Sequence, residues 1–82
     1  MPSTFDVVAD IIAQTCHISR ETIALDSNLQ RDLGIDSLDL LDVGFALDDA
    51  FGIHVPLGAA ERCLIMRELC ASIDTLTGAA AA

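Results

Sequence analysis

Three aspartates, Asp32, Asp36 and Asp39, surround one serine in the stretch Asp32-Leu33-Gly34-Ile35-Asp36-Ser37-Leu38-Asp39. A serine hydroxyl becomes a nucleophile only with a base at hand. The two histidines, His17 and His54, lie far from Ser37 on either side in sequence, and nothing adjacent activates it. The Gly34 turn followed by Asp36-Ser37 and an apolar-periodic run marks a helix start, with Asp36 or Ser37 accepting from an orphan backbone amide. Such a hydroxyl stands at a surface junction within reach of another enzyme. The chemistry expected is attachment to Ser37, not catalysis by it.

Two other chemistries fit the residues less well. A calcium loop needs alternating oxygen ligands, a glycine at its sixth position and a glutamate at its twelfth, and this pattern starts at neither Asp26 nor Asp32. A hydrolase built on Ser37, His54 and an aspartate would need an oxyanion-forming Gly-x-Ser-x-Gly elbow, which is missing. No dedicated metal site is expected, and the spacing of Cys16, Cys63 and Cys70 resembles no zinc motif.

The elements that must position Ser37 are helical. A first helix should begin near Ser3 or Thr4 and run to about Cys16, with Phe5, Val8, Ile12 and either Ala9 or Thr15 on one face. Between His17 and Asp36 the period is lost, and Ile18, Ile23, Leu25, Leu29 and Leu33 read as anchors of a long pinned loop. A second helix spans about Ser37 to Phe51, with Gly52 as its left-handed cap. After the extended link Ile53-His54-Val55, Pro56 opens a short third helix over roughly Leu57 to Arg62. A fourth should run from about Leu64 to Thr77, with Ile65 or Met66, Leu69, Ile73 and Leu76 inward and Gly78 closing it. The expectation is an all-α, four-helix fold with a long loop between its first two helices and a short third helix. It should form one domain over 1–82, with its core over about 4–77 and a flexible tail at 78–82.

The second helix divides by its own period. Leu40, Val43, Gly44, Leu47 and Phe51 share one face, and Leu38, Leu41 and Phe45 share another, flanked by Asp39, Asp42, Asp48 and Asp49. Turning the first set inward leaves a small apolar patch with an acidic rim, the chemistry of a transient docking surface. The acids steer a basic partner in, and the patch fixes orientation on contact. Glycine inside a helix costs ~1 kcal/mol relative to alanine, so Gly44 wants a reason. Either it enlarges a cavity beside the helix, or it allows close helix–helix packing.

The stretch from Asp32 to Asp39 resembles the phosphopantetheine attachment motif of acyl carrier proteins, D-x-G-x-D-S-L-[DE]. Phe51-Gly52-Ile53-His54-Val55-Pro56 is similar to that family's F-x-[IT]-x-[IV]-P. The resemblance covers roughly residues 4 to 77. It implies a phosphopantetheine arm on Ser37, whose thiol carries acyl chains as thioesters, and a role for Asp36 in coordinating the magnesium used by the modifying enzyme. It further implies a four-helix carrier that is not an enzyme, with the second helix as its recognition surface: Leu38, Asp39, Leu41, Asp42, Phe45, Asp48 and Asp49. The inward set would line the acyl cavity through Leu40, Gly44, Leu47 and Phe51, joined by Ile65 and Leu69. The family usually has a bulkier aliphatic at the position of Gly44. Implied partners are a phosphopantetheinyl transferase and the basic-surfaced enzymes of fatty-acid or lipid synthesis. A free-standing polyketide or peptidyl carrier is the alternative within the family.

A narrower resemblance is carried by Thr4-Phe5-Asp6, by Val8-Ala9-Asp10-Ile11-Ile12-Ala13 and by Leu69-Cys70-Ala71-Ser72-Ile73-Asp74. These look like the specialised carriers of very-long-chain hydroxy acids for lipid A. The segment between Pro56 and Leu64 is shorter here than in those carriers.

Bulk properties agree. Thirteen acids against four arginines give a net charge of −9 over 82 residues, which repels a phosphate backbone and argues against nucleic-acid binding. Three cysteines cannot all pair within one molecule, no charged and apolar leader opens the chain, and no run reaches the ~20 apolar residues of a membrane span. A cytoplasmic monomer that does not insert into membranes is the expectation.

Overall fold

The computed structural model describes residues 3–78, with the side chain of Leu57 left aside. Four α-helices follow in order: α1 (Thr4–Cys16), α2 (Ser37–Phe51), α3 (Leu57–Arg62) and α4 (Met66–Thr77). A 3-10 turn at Arg20–Thr22 interrupts the long loop. Among the described residues the one extended pairing is an isolated antiparallel bridge between Asn28 and Ile65.

Local capping sets the helix ends. The Ser3 hydroxyl accepts from the Asp6 N–H at 3.2 Å, and the Ser3 N–H donates back to the Asp6 carboxylate at 3.2 Å, a reciprocal box that satisfies two orphan donors. These bonds to Ser3, and then the Arg20 guanidinium, hold the Asp6 carboxyl below its ordinary pKa. Gly52 ends α2 in the left-handed region (φ 65°), which a residue without Cβ adopts at no steric cost.

The core follows the predicted faces, with three corrections. Val8, Ala9 and Ile12 of α1, Leu40, Val43 and Leu47 of α2, and Met66, Leu69, Cys70 and Ile73 of α4 are buried together. α1 packs against both α2 and α4, and α3 packs against α2. The first correction is the start of α4, which lies at Met66, not near Leu64. The Leu64 carbonyl accepts the Leu29 N–H at 2.9 Å and Ile65 is held extended in its bridge to Asn28, so neither can turn helical. Second, Leu25 is 42% exposed: its carbonyl accepts the Arg67 N–H at 2.8 Å while its side chain borders a shallow surface groove. Third, Leu76, in the last turn of α4, is 43% exposed and borders a surface hollow beside Pro56 and Ala59. Ile35, not foreseen as an anchor, is buried.

The loop before Ser37 is bonded throughout. Ser27 is buried and its hydroxyl accepts the Ala24 N–H at 2.9 Å. The Asn28 side-chain oxygen accepts from the N–H groups of Gln30 and Arg31, and the Asp32 carboxylate accepts the Asn28 N–H at 2.7 Å. Gly34 takes the left-handed conformation (φ 69°) and turns the chain so that the Ile35 N–H reaches the Leu29 carbonyl at 2.9 Å. Of the expected flexible tail only Gly78, the left-handed cap of α4, falls among the described residues.

Candidate functional site

Ser37 is the first residue of α2 and is exposed. The cap just before it is Asp36, whose Oδ1 accepts the Asp39 N–H at 2.9 Å, and this decides between the two residues that sequence left open. With Asp36 capping, the Ser37 hydroxyl is not spent on the helix end. A phosphate joined to it would sit at the positive end of α2, a contribution of about 0.3–1 kcal/mol at an exposed site. The acids nearby act in the opposite sense. Burial first, and then the charges of Asp39, Asp36 and Asp42, push the Cys16 thiol above its ordinary pKa, so α1 ends within the field of the aspartates around Ser37.

Beside α2 lies a cavity of about 230 Å³, lined by Leu40, Leu41, Gly44, Phe45, Asp48, His54, Val55 and Ala60. At 100° per residue, Leu41, Gly44 and Asp48 stand within about 40° of Ser37 around the helix axis, and Leu40 and Phe45 flank them. The serine therefore heads the stripe of α2 that borders the cavity, with Gly44 about 10 Å further along the axis. The opposite wall comes from the 53–56 link and α3, through His54, Val55 and Ala60. The lining is mostly apolar, and its polar groups are the carboxylate of Asp48 and the ring of His54.

Of the six residues expected around an acyl cavity, Leu40 and Gly44 line this one. Leu47 and Leu69 are fully within the core, and Phe51 and Ile65 are half-buried elsewhere. A Cβ built at Gly44 meets nothing within 4 Å, so close packing of another helix is not what glycine permits there.

On the expected docking face, Leu38 is 74% and Phe45 64% exposed, with Asp42 and Asp49 beside them in solvent. Leu41 and Asp39 are half-buried. Leu41 and Phe45, expected on the docking face, line the cavity as well. Asp48 is half-buried and tied to the backbone of the following link: its Oδ1 accepts the Val55 N–H at 2.7 Å. Sequence reasoning missed Val55, His54 and Ala60 as lining, and the Phe51-to-Pro56 motif was the signal that could have found the first two. Among the described residues no three His, Cys, Asp or Glu side chains are grouped to hold a metal ion, and no helix is long and apolar enough to cross a membrane.

Comparison with known proteins agrees with this geometry. Residues 6–73 match the family described as "Phosphopantetheine attachment site". The chain is 49% identical over 90 positions to "Acyl carrier protein AcpXL" of Brucella melitensis, covering 96% of this chain and 97% of the relative. It is 48% identical to the protein of the same name from Rhizobium meliloti, covering 96% and 95%. To "Acyl carrier protein" of Campylobacter hominis it is 31% identical over 72 positions, covering 88% and 91%.

Proposed function

The chain belongs to the phosphopantetheine-carrying acyl carrier family, and on that premise we propose that it carries very long acyl chains for lipid A on an arm attached at Ser37. It is a carrier and not an enzyme: the arm supplies the reactive thiol, and this chain supplies its anchor, a partial shelter for the cargo and a surface that other enzymes recognise. Work with a phosphopantetheinyl transferase and with acyl-synthesising and acyl-transferring enzymes comes with the family. The finer reading is that those enzymes meet α2 with basic surfaces, in the cytoplasm, through Leu38, Asp39, Leu41, Asp42, Phe45 and Asp49.

One observation carries the reading: the exposed Ser37 heads the same stripe of α2 that borders an apolar cavity. An arm leaving the hydroxyl along the helix axis delivers its thioester to the mouth beside Leu41 and Gly44. The cavity, at about 230 Å³, is smaller than the ~300–1,000 Å³ of sites that enclose a whole drug-sized ligand. A long chain would therefore be sheltered along only part of its length and would emerge beside Phe45. The subtype is supported by identity, which is 46–49% to the AcpXL proteins and 28–31% to the general carriers. The alignment with the Brucella melitensis protein runs over 90 positions against 82 residues here, so that relative holds at least eight residues this chain lacks.

The test is intact-mass spectrometry before and after incubation with coenzyme A, magnesium and a broad-specificity transferase, followed by loading with acyl chains of rising length. One phosphopantetheine should appear on the native chain and none on Ser37→Ala. Loss of the difference between the two proteins would overturn the attachment site, and refusal of long chains by a competent holo-protein would overturn the lipid A reading.

A further inference from the structure

The acids of α2 do not share one job. Asp42 and Asp49 stand in solvent, whereas Asp48 gathers the chain that follows it. Its carbonyl accepts the N–H of Gly52, the cap of α2, and that of Ile53 at 3.2 Å, and its carboxylate reaches further, accepting the Val55 N–H at 2.7 Å. Its second oxygen lies 3.7 Å from His54 Nδ1. Val55 is buried and, with Asp48 itself, walls the cavity. One side chain thus holds the 53–56 link down on α2 and closes the turn that places the cavity's outer wall.

We propose that Asp48 is a positioning residue for the cargo, a latch whose carboxylate fixes Val55 as a cavity wall and so keeps the acyl chain from solvent. This rests on the reading that the cavity beside Gly44 receives the chain. The physical ground is that a buried backbone N–H needs a partner. Without the Asp48 oxygen the Val55 N–H loses its partner, and nothing then holds residues 54–56 against α2 while that N–H turns to water. The link is tied at its start by Gly52 and Ile53 and at its end by Ala59 and Ala60, whose N–H groups donate to the Pro56 carbonyl at 3.0 and 3.1 Å. Lifting would therefore be local to residues 54–56 and would leave both flanking helices formed. The role needs an acceptor at this position, not a charge. Asparagine should serve and alanine should not, which separates the latch from a docking acid, where charge is what counts.

Amide exchange by NMR and thioester cleavage by hydroxylamine, run on native holo-protein and on Asp48→Ala and Asp48→Asn, test it. In Asp48→Ala the Val55 amide should exchange at least tenfold faster while the Gly52 amide, bonded to a backbone carbonyl, stays protected and reports an intact α2. In the native protein an octanoyl arm should be cleaved more slowly than an acetyl arm. That difference should shrink toward none in Asp48→Ala and persist in Asp48→Asn. Unchanged Val55 exchange in the alanine variant, faster exchange with an unchanged octanoyl-to-acetyl ratio, or an asparagine variant that behaves like alanine would each overturn the latch. Equal cleavage of the two arms in the native protein would fail the reading beneath it, because the chain would then not enter the cavity at all.

Discussion

Replacing Gly44 with alanine and with valine separates what this position does for the helix from what it does for the cargo. A helix-interior glycine is about 0.8–1.0 kcal/mol less favourable than alanine. Nothing lies within 4 Å of the added Cβ, so no clash subtracts from that gain. Apo Gly44→Ala should therefore be more stable by about 1 kcal/mol, a rise in Tm of about 4–8 °C for a domain of this size. Valine gives up much of the same gain through its stiff χ1, and its three carbons stand in a cavity of about 230 Å³. Each cargo methylene it displaces forfeits about 0.8 kcal/mol of burial, so losing two or three costs the acyl form about 2 kcal/mol. Scanning calorimetry of apo, acetyl, octanoyl and hexadecanoyl forms of the three proteins reads both effects. Alanine should raise every form, whereas valine should cut the stabilisation gained from acetyl to octanoyl. A destabilised apo Gly44→Ala would refute the open space at Gly44, and a valine effect equal across all chain lengths would refute the placement of the chain beside it.

The cap that Asp36 makes can be separated from the charge that the family resemblance implies for the modifying enzyme. Because asparagine caps as well as aspartate, Asp36→Asn should leave stability within a few tenths of a kcal/mol, while Asp36→Ala should cost about 0.5–2 kcal/mol in urea denaturation. Slower phosphopantetheine transfer to the asparagine variant, at unchanged stability, would assign the charge to the modifying enzyme. Burial first, and then the Asp74 charge, push the Cys70 thiol up to about 11 from 9.0. Iodoacetamide at pH 8 should therefore modify it last of the three cysteines. Since the folded value lies above the unfolded one, the stability tied to Cys70 is complete below pH 9.0 and is lost as pH climbs toward about 11. Alkaline unfolding of Cys70→Ala should show a shallower decline over that window.

What sequence could foretell follows from how local each signal is. Ser3, Gly52 and Pro56 act on their own neighbours, so the bounds of α1, α2 and α3 were legible from composition and period alone. The start of α4 was not. Leu64 and Ile65 continue the apolar period backwards, and it is the distant Leu29, whose N–H donates to the Leu64 carbonyl, and Ser27, whose carbonyl accepts the Met66 N–H, that hold them extended opposite Asn28. Leu25 and Leu76 show a related limit: a period says which face an apolar residue takes, not whether a partner helix reaches that far. The serine and the exposed pair Leu38 and Phe45 were readable because they lie on one helix. Half of the cavity was not, because its second wall is Val55 and Ala60, set against α2 by a turn whose closing bond runs from a side chain to a backbone amide.

The two ends of the site are held by different means, and the difference suits a carrier. Ser37 is approached by a loop stitched to the start of α4. The Leu25 and Ser27 carbonyls accept the first N–H groups of that helix, from Arg67 at 2.8 Å and Met66 at 3.0 Å, and the Leu29 N–H donates to the Leu64 carbonyl. These bonds cap α4, which has no side-chain acceptor at Ile65, and in the same stroke fix the residues that lead to the serine. Releasing the loop would uncover helix-end donors as well as the buried Ile23, Leu29, Leu33 and Ile35, so the attachment point moves only at the expense of the core. The cavity wall over residues 54–56 has no such double use, since one carboxylate bond and one valine hold it down. On the proposed reading, an arm anchored at the stiff end and a cargo housed behind the yielding one would pass to a partner without the anchor changing place.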